Sequence, residues 1–187
     1  MAKLYFYYSA MNAGKSTALL QANHNYKERG MKTLLFTSGL DSRYEVGKIT
    51  SRIGISEVAN VFYKGFNFVD FVKNSSDISC VLIDEAQFLD KDQVYQLGYI
   101  VDNFNIPVLT YGLRSDFLGN PFEGSLHLLV LADVLSEVKT MCFCGSKAIM
   151  NARINEKGEK VHSGEQVEIG GNDRYVSLCR KHYMSHK

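Results

Sequence analysis

Short apolar runs alternate with helix-length stretches through the first two-thirds of this chain. Leu4-Tyr5-Phe6-Tyr7-Tyr8 predicts a first strand, and Lys15 to Arg29 predicts a helix stopped by Gly30. Thr33 to Thr37 reads as a second strand and Phe66 to Lys73 as a short helix. Cys80-Val81-Leu82-Ile83 is an unbroken apolar run of the kind buried on both faces of a parallel sheet. Asp90 with Gln93 forms a capping-box pattern for a helix over Lys91 to Asn103. Pro107 then introduces a strand at Val108 to Tyr111, and the apolar block Leu126 to Leu131 leads into Val134 to Val138. Strands separated by helices predict an α/β fold with a mainly parallel sheet and helices on both faces.

The character changes near Lys139, where the cysteines gather. Asn155 to Lys160 has the composition of a solvated turn, and Gly170-Gly171-Asn172-Asp173 marks a second flexible point. The expected division is 1–138 and 139–187. A tail of that length cannot hold a core alone, so a brace is expected. Neither an internal repeat nor a low-complexity tract is visible.

Composition narrows the class. A chain of 187 residues allows one good core and a small appendage. Its 45% hydrophobic and 22% charged residues are those of a globular chain. A formal net charge of +1 provides no global field for nucleic acid or anionic membranes. No apolar run approaches the ~20 residues of a membrane span, and the start lacks a signal-peptide pattern. The expectation is a cytoplasmic protein whose four cysteines are reduced thiols or metal ligands.

The densest chemistry lies between the first strand and the first helix. Ser9-Ala10-Met11-Asn12-Ala13-Gly14-Lys15-Ser16 has the layout of a phosphate-cradling loop: inward amides, a helix N-terminus, a lysine for the outer phosphates and a magnesium-facing hydroxyl. Ser9 replaces the first glycine of the usual pattern, which suggests a loop of slightly different shape. Val81-Leu82-Ile83-Asp84-Glu85 ends an apolar strand in two acids, and that strand is expected beside the first, facing the nucleotide. Alternation along a strand would send the acids to opposite faces. Asp84 would then hold magnesium with Ser16, while Glu85 takes the proton of an attacking hydroxyl. Asp84-Glu85-Ala86-Gln87 also resembles the acid motif of helicases, but those motors need a second such domain and a basic track.

Cys142 and Cys144, then Cys179 and His182, form two pairs separated by 34 residues. Three thiolates and an imidazole in two close pairs fit a structural zinc site, although a one-residue gap in the first pair is tight. A metal there would fasten the marginal tail. His24, His127, His162 and His186 have no comparable partners and read as surface or packing residues.

Four motifs in order resemble the type II thymidine kinases, especially the enterobacterial branch: Tyr5 to Ser16, Asp84-Glu85-Ala86-Gln87-Phe88, Tyr111 to Phe117, and Ile169 to Tyr175. The resemblance covers nearly the whole chain. It implies transfer of the γ-phosphoryl of ATP to the 5′-hydroxyl of thymidine, in a homotetramer inhibited by thymidine triphosphate. It also implies an α/β nucleotide domain with a zinc-held lasso closing over the nucleoside. Carried onto this chain, Glu85 is the proton acceptor, and Ser9 to Ser16 with Asp84 to Gln87 bind ATP. Asp41 and Arg43 match a family Asp-x-Arg near the reacting end of the nucleoside. Met11, Phe88, Leu113, Phe117 and Tyr175, with Glu168, Ile169, Gly170 and Gly171 of the lasso, contact the substrate. The alternatives from other classes are a phosphate-loop kinase or ATPase with another small acceptor, and a zinc-braced regulator that binds ATP without turnover.

Overall fold

A computed structural model describes residues 1–40, 45–166 and 174–185. The chain runs β1 (Leu4–Ser9), α1 (Lys15–Glu28), β2 (Lys32–Ser38), β3 (Lys48–Thr50), β4 (Ser56–Val58), β5 (Asn60–Phe62), α2 (Phe68–Lys73) and β6 (Ile78–Ile83). A single 3-10 turn follows at Ala86–Phe88, then α3 (Lys91–Phe104), β7 (Val108–Leu113), α4 (Glu123–Leu131) and β8 (Val134–Glu137). The C-terminal part holds β9 (Thr140–Met141), β10 (Lys147–Ala148), β11 (Met150–Arg153), β12 (Tyr175–Leu178) and α5 (Arg180–Ser185).

Six strands form one sheet in the order β5-β2-β6-β7-β1-β8, every pairing parallel. Alternation along the strands divides their side chains between two cores. Leu34, Phe36, Val81 and Ile83 face one core with residues of α2, α3 and α4. Leu35, Cys80 and Leu82 face the other, with Leu19 and Leu20 of α1. Phe36 is the hub of the first, meeting Phe66, Phe68 and Phe71 edge-on at 5.1–5.7 Å between ring centres.

Several boundaries follow local chemistry. The expected capping box is present: Asp90 accepts from the Gln93 amide at 2.8 Å, and Gln93 accepts from the Asp90 amide at 3.0 Å. Asn67 caps α2 by accepting from the Asp70 amide, so that helix begins two residues later than the apolar pattern suggests.

The expected neighbour of β1 needs correction. β6 does not lie beside β1; β7 stands between them, paired in register with both. The physical reason is the reach of α1, which packs across β6 and β7 as well as β2, so the crossover from β1 to β2 leaves room for two intervening strands. The short antiparallel hairpin of β3 and β4, which the residue pattern did not announce, packs against α1 through Ile49.

Beyond Lys139 two small antiparallel pairs, β9–β10 and β11–β12, enclose a third cluster of Cys142, Ala148, Ala152, Leu178 and Tyr183. Its residues are few, as expected of a segment that cannot bury much apolar surface. Tyr183 ties the cluster to the larger body by donating its hydroxyl to the Phe117 carbonyl at 2.9 Å.

Candidate active site

The loop from Ser9 to Gly14 turns through two left-handed residues, Asn12 (φ 63°) and Gly14 (φ 83°). Gly14 is the residue before α1, and a side chain would be strained in that conformation. Lys15 and Ser16 open the helix, whose N-terminus carries partial positive charge. The Lys15 ammonium is held at 2.9 Å from Ser9 Oγ and 3.3 Å from the Ala10 carbonyl. Ser9 also donates its hydroxyl to the Ala10 carbonyl at 2.6 Å. The serine at the first glycine position is thus a second polar hold on the loop and its lysine.

The two acids lie just past β6. Ser16 donates to Asp84 Oδ2 at 2.7 Å, so the helix hydroxyl and the strand-end carboxylate meet although β7 separates their strands. The Glu85 amide donates to Asp84 Oδ1 at 3.0 Å. Burial, with the charge of Glu85 beside it, pushes the Asp84 carboxyl up to about 7, against the opposing pull of Ser16 and Lys15.

Strand alternation is not what parts the acids. β6 ends at Ile83, and Glu85 takes left-handed backbone (φ 54°, ψ 37°). Its carboxylate accepts from Gln87 Nε2 at 2.5 Å, and Gln87 Oε1 accepts in turn from the Leu113 amide at 3.0 Å. Ala86 is fully buried in the core, and Gln87 is 2% exposed, so the motif's last two side chains serve the turn that carries Glu85.

Met11 to Thr17, Thr37, Asp84, Glu85 and Leu113 line a cleft of about 270 Å³. Its remaining wall is Lys48 to Ile53, from β3 and the turn that follows it. Sequence reasoning missed this wall, and with it two cations, Lys48 and Arg52. A Lys and an Arg are unremarkable in a polar stretch; only the folding back of the hairpin places them opposite the phosphate loop.

The other expected substrate residues are distributed as follows. Met11 and Leu113 reach the cleft. Phe88 packs edge-on to Phe122 at 5.9 Å, half-buried beside the core. Phe117 and Tyr175 come together around Arg153, whose guanidinium lies 3.8 Å from the Phe117 ring centre and donates through Nε to the Tyr175 hydroxyl at 2.9 Å. Arg153 also donates to the Glu165 carbonyl at 2.8 Å. It is 4% exposed, a buried cation that no motif singled out. Asp41, Arg43, Glu168, Ile169, Gly170 and Gly171 lie outside the described residues.

The cysteine and histidine pairs do converge. Donor atoms of Cys142, Cys144, Cys179 and His182 lie within 4.8 Å of one another. His182 Nδ1 is 3.4 Å from the sulfurs of both Cys142 and Cys179, and Cys144 and Cys179 sulfurs are 3.9 Å apart. Bonds of ~2.3 Å to sulfur and ~2.0–2.1 Å to nitrogen would set tetrahedral donors about 3.5–3.8 Å apart, so the cage has the right size for a metal ion. Burial pushes the Cys142 thiol up, but hydrogen bonds from the Cys144 and Cys179 backbone and from His182 outweigh it and bring it down to about 6. The fourth cysteine, Cys80, is buried on the face of β6 that packs toward α1, and that burial pushes it up to about 12.

A family model for thymidine kinase matches residues 2–183. The chain belongs to the thymidine kinase family. Among its relatives, the thymidine kinase of Legionella pneumophila (strain Paris) is 59% identical over 187 residues, covering 98% of this chain and 90% of the relative. That of Pasteurella multocida (strain Pm70) is 57% identical over 186 residues, with 98% and 97% covered. The thymidine kinase of Zymomonas mobilis is 54% identical over 187 residues, again with 98% and 97% covered. In this member of the thymidine kinase family, β11 and β12, the second of which leads to the cage residue Cys179, hydrogen-bond to the loops that follow β1 and β7.

Proposed function

We propose that this chain transfers the γ-phosphoryl group of ATP to the 5′-hydroxyl of thymidine, giving thymidine monophosphate for DNA precursor salvage. The observation that carries this reading is the meeting of Ser16 and Asp84 at 2.7 Å in a cleft whose lining includes Glu85. Family membership supports the choice of acceptor.

In this reading Lys15, the loop amides and the α1 N-terminus hold the triphosphate. Ser16 and Asp84 are the residues to hold Mg²⁺, which supplies charge neutralisation at the β- and γ-phosphates when bound. Glu85, aimed by Gln87, accepts the proton as the 5′-oxygen attacks phosphorus and the ADP oxygen leaves. Lys48 and Arg52 add positive charge from the facing wall. Met11, Leu113, Phe117 and Tyr175 line the thymine pocket, and Phe88 adds a substrate contact. Asp41, Arg43, Glu168, Ile169, Gly170 and Gly171 complete the nucleoside contacts. The donor set of three thiolates and an imidazole selects Zn²⁺, held by Cys142, Cys144, Cys179 and His182 as a structural ion. The ATP-binding unit is 1–138 and the zinc-held lasso unit 139–187. The resemblance extends this reading to a cytoplasmic homotetramer with thymidine triphosphate as feedback inhibitor.

The test is incubation with ATP, magnesium and a panel of nucleosides, followed by separation of monophosphates. Thymidine monophosphate is expected as the main product. A product from deoxycytidine or adenosine without one from thymidine overturns the assignment of acceptor.

A further inference from the structure

Met11 sits in the middle of the phosphate loop, yet both polar groups of its backbone are engaged by the opposite end of the chain. Its N–H donates to Asn151 Oδ1 at 2.8 Å, and its carbonyl accepts from Ser177 Oγ at 2.6 Å. Asn151 and Ser177 are direct partners across the antiparallel pair β11–β12, so a single cross-strand position grips a single residue from two sides. Asn151 is 3% exposed and Ser177 9%. The Asn151 amide also donates to the Ser115 carbonyl at 3.1 Å, in the segment after β7. One side chain thereby ties the phosphate loop, the β7 exit and the C-terminal hairpin together.

A phosphate loop works by the direction of its amides, and that direction is set by rotation of successive peptide planes. With its N–H bound to Asn151, the Met11 amide is turned away from the role of phosphate donor. Fixing the planes on either side of Met11 also fixes where the left-handed turn through Asn12 begins. Buried hydrogen bonds of this sort are costly to leave half-made, which makes the hold specific as well as favourable.

We propose that Asn151 and Ser177 are positioning residues: a two-pronged clamp through which the metal-braced C-terminal hairpin sets the geometry of the phosphate loop and so its grip on ATP. Ser177 lies two residues before the metal-cage residue Cys179, so clamp and cage share one short strand end. The proposal rests on the reading of the loop as the ATP site.

The experiment compares wild type with Asn151→Ala, Ser177→Ala, the double variant and Ser177→Thr, each with its metal content and melting temperature measured. The readout is ATP affinity by titration calorimetry. Each alanine is expected to weaken ATP binding about threefold to tenfold, the range of one net hydrogen bond. Since both prongs hold one residue, the double variant should fall well short of the product of the single effects. Ser177→Thr, which keeps the hydroxyl, should stay within about twofold of wild type. Metal content should match wild type in all four variants.

Unchanged ATP affinity in both single variants overturns the clamp, as does a loss of affinity that merely follows loss of metal. Amide hydrogen exchange on wild type provides a check that needs no variant. The Met11 N–H should be protected, and an unprotected one overturns the proposal. Should wild type bind ATP but fail to phosphorylate thymidine, the proposed function falls while these measurements still decide the clamp.

Discussion

At Glu85 a bulky acidic residue occupies left-handed backbone, a conformation costing roughly 1–3 kcal/mol for a residue with a side chain. The surroundings impose it: Asp84 takes the Glu85 amide, and Gln87, buried and anchored on the Leu113 amide, takes the carboxylate. Strain held in place by neighbours that also aim the side chain is the arrangement expected of a proton acceptor that must not wander. Replacing Glu85 with Gln keeps the shape and the reach to Gln87 but removes the base. Turnover is expected to fall by about two orders of magnitude or more, with ATP affinity nearly unchanged. Steady-state kinetics beside calorimetric ATP binding check this. Wild-type turnover in Glu85→Gln would move the base elsewhere, and lost ATP binding would mean that the carboxylate supports the loop rather than the chemistry.

At the scale of elements, two contacts set where the acids lie. Helix α4 meets the 84–89 turn so closely that a Cβ on Gly124 would stand 2.5 Å from the Ala86 carbonyl and 2.8 Å from that of Leu89. Backbone atoms cannot yield as a side chain tip can, so Gly124→Ala must push helix and turn apart. The expected cost is about 1–3 kcal/mol of stability, with turnover falling because the displaced turn carries Glu85. Thermal melting and kcat should move together; a variant of normal activity would show that the turn is not rigidly coupled. The β3–β4 hairpin forms the other contact, bringing Arg52 to the cleft. Arg52 is exposed, so its contribution is that of a screened charge, ~1 kcal/mol at most. Arg52→Ala should raise the KM for ATP up to about fivefold, and the difference from wild type should shrink as salt is added. A KM that stays at the wild-type value at low salt removes Arg52 from the phosphate wall.

These elements also mark what the residue pattern could and could not reveal. Strands β2 and β6 were legible because both faces are buried, which makes their cores continuous in sequence. The capping box at Asp90 and Gln93 was legible because it is local. Strand order was not, since no residue encodes how many strands α1 will cross. The hairpin was not, because strands of three residues each are too short for their alternation to register as a period. Asn151, Ser177 and Arg153 escaped for a different reason. Their partners are backbone groups and rings brought close only by the final fold, and an Asn, a Ser or an Arg in a short strand signals none of this.

For the molecule as a whole, the decisive asymmetry is between the cores. The six-stranded sheet is buried on both faces by large side chains, whereas the C-terminal cluster rests on two alanines, a leucine, a tyrosine and a cysteine that is itself a cage residue. So small a cluster supplies too little apolar burial to offset the ordering of its strands; on the proposed reading the balance comes from an ion held by the cage, together with the bonds to the larger body. A ligand held only by the folded form stabilises it by ~2.7 kcal/mol at a hundredfold excess over Kd, so chelation should remove at least that much from this part alone. Elemental analysis is expected to give one zinc per chain. A strong chelator should produce a separate low-temperature transition while the main unfolding of the α/β body barely shifts, and added zinc should restore a single transition. On the proposed reading, thymidine KM should rise further than ATP KM, because Tyr175 of β12 belongs to the nucleoside side while the hairpin meets the phosphate loop through Met11. Metal-free protein with the same melting curve in chelator and in zinc would leave the cage without its ion, and the third cluster would have to stand on its packing alone.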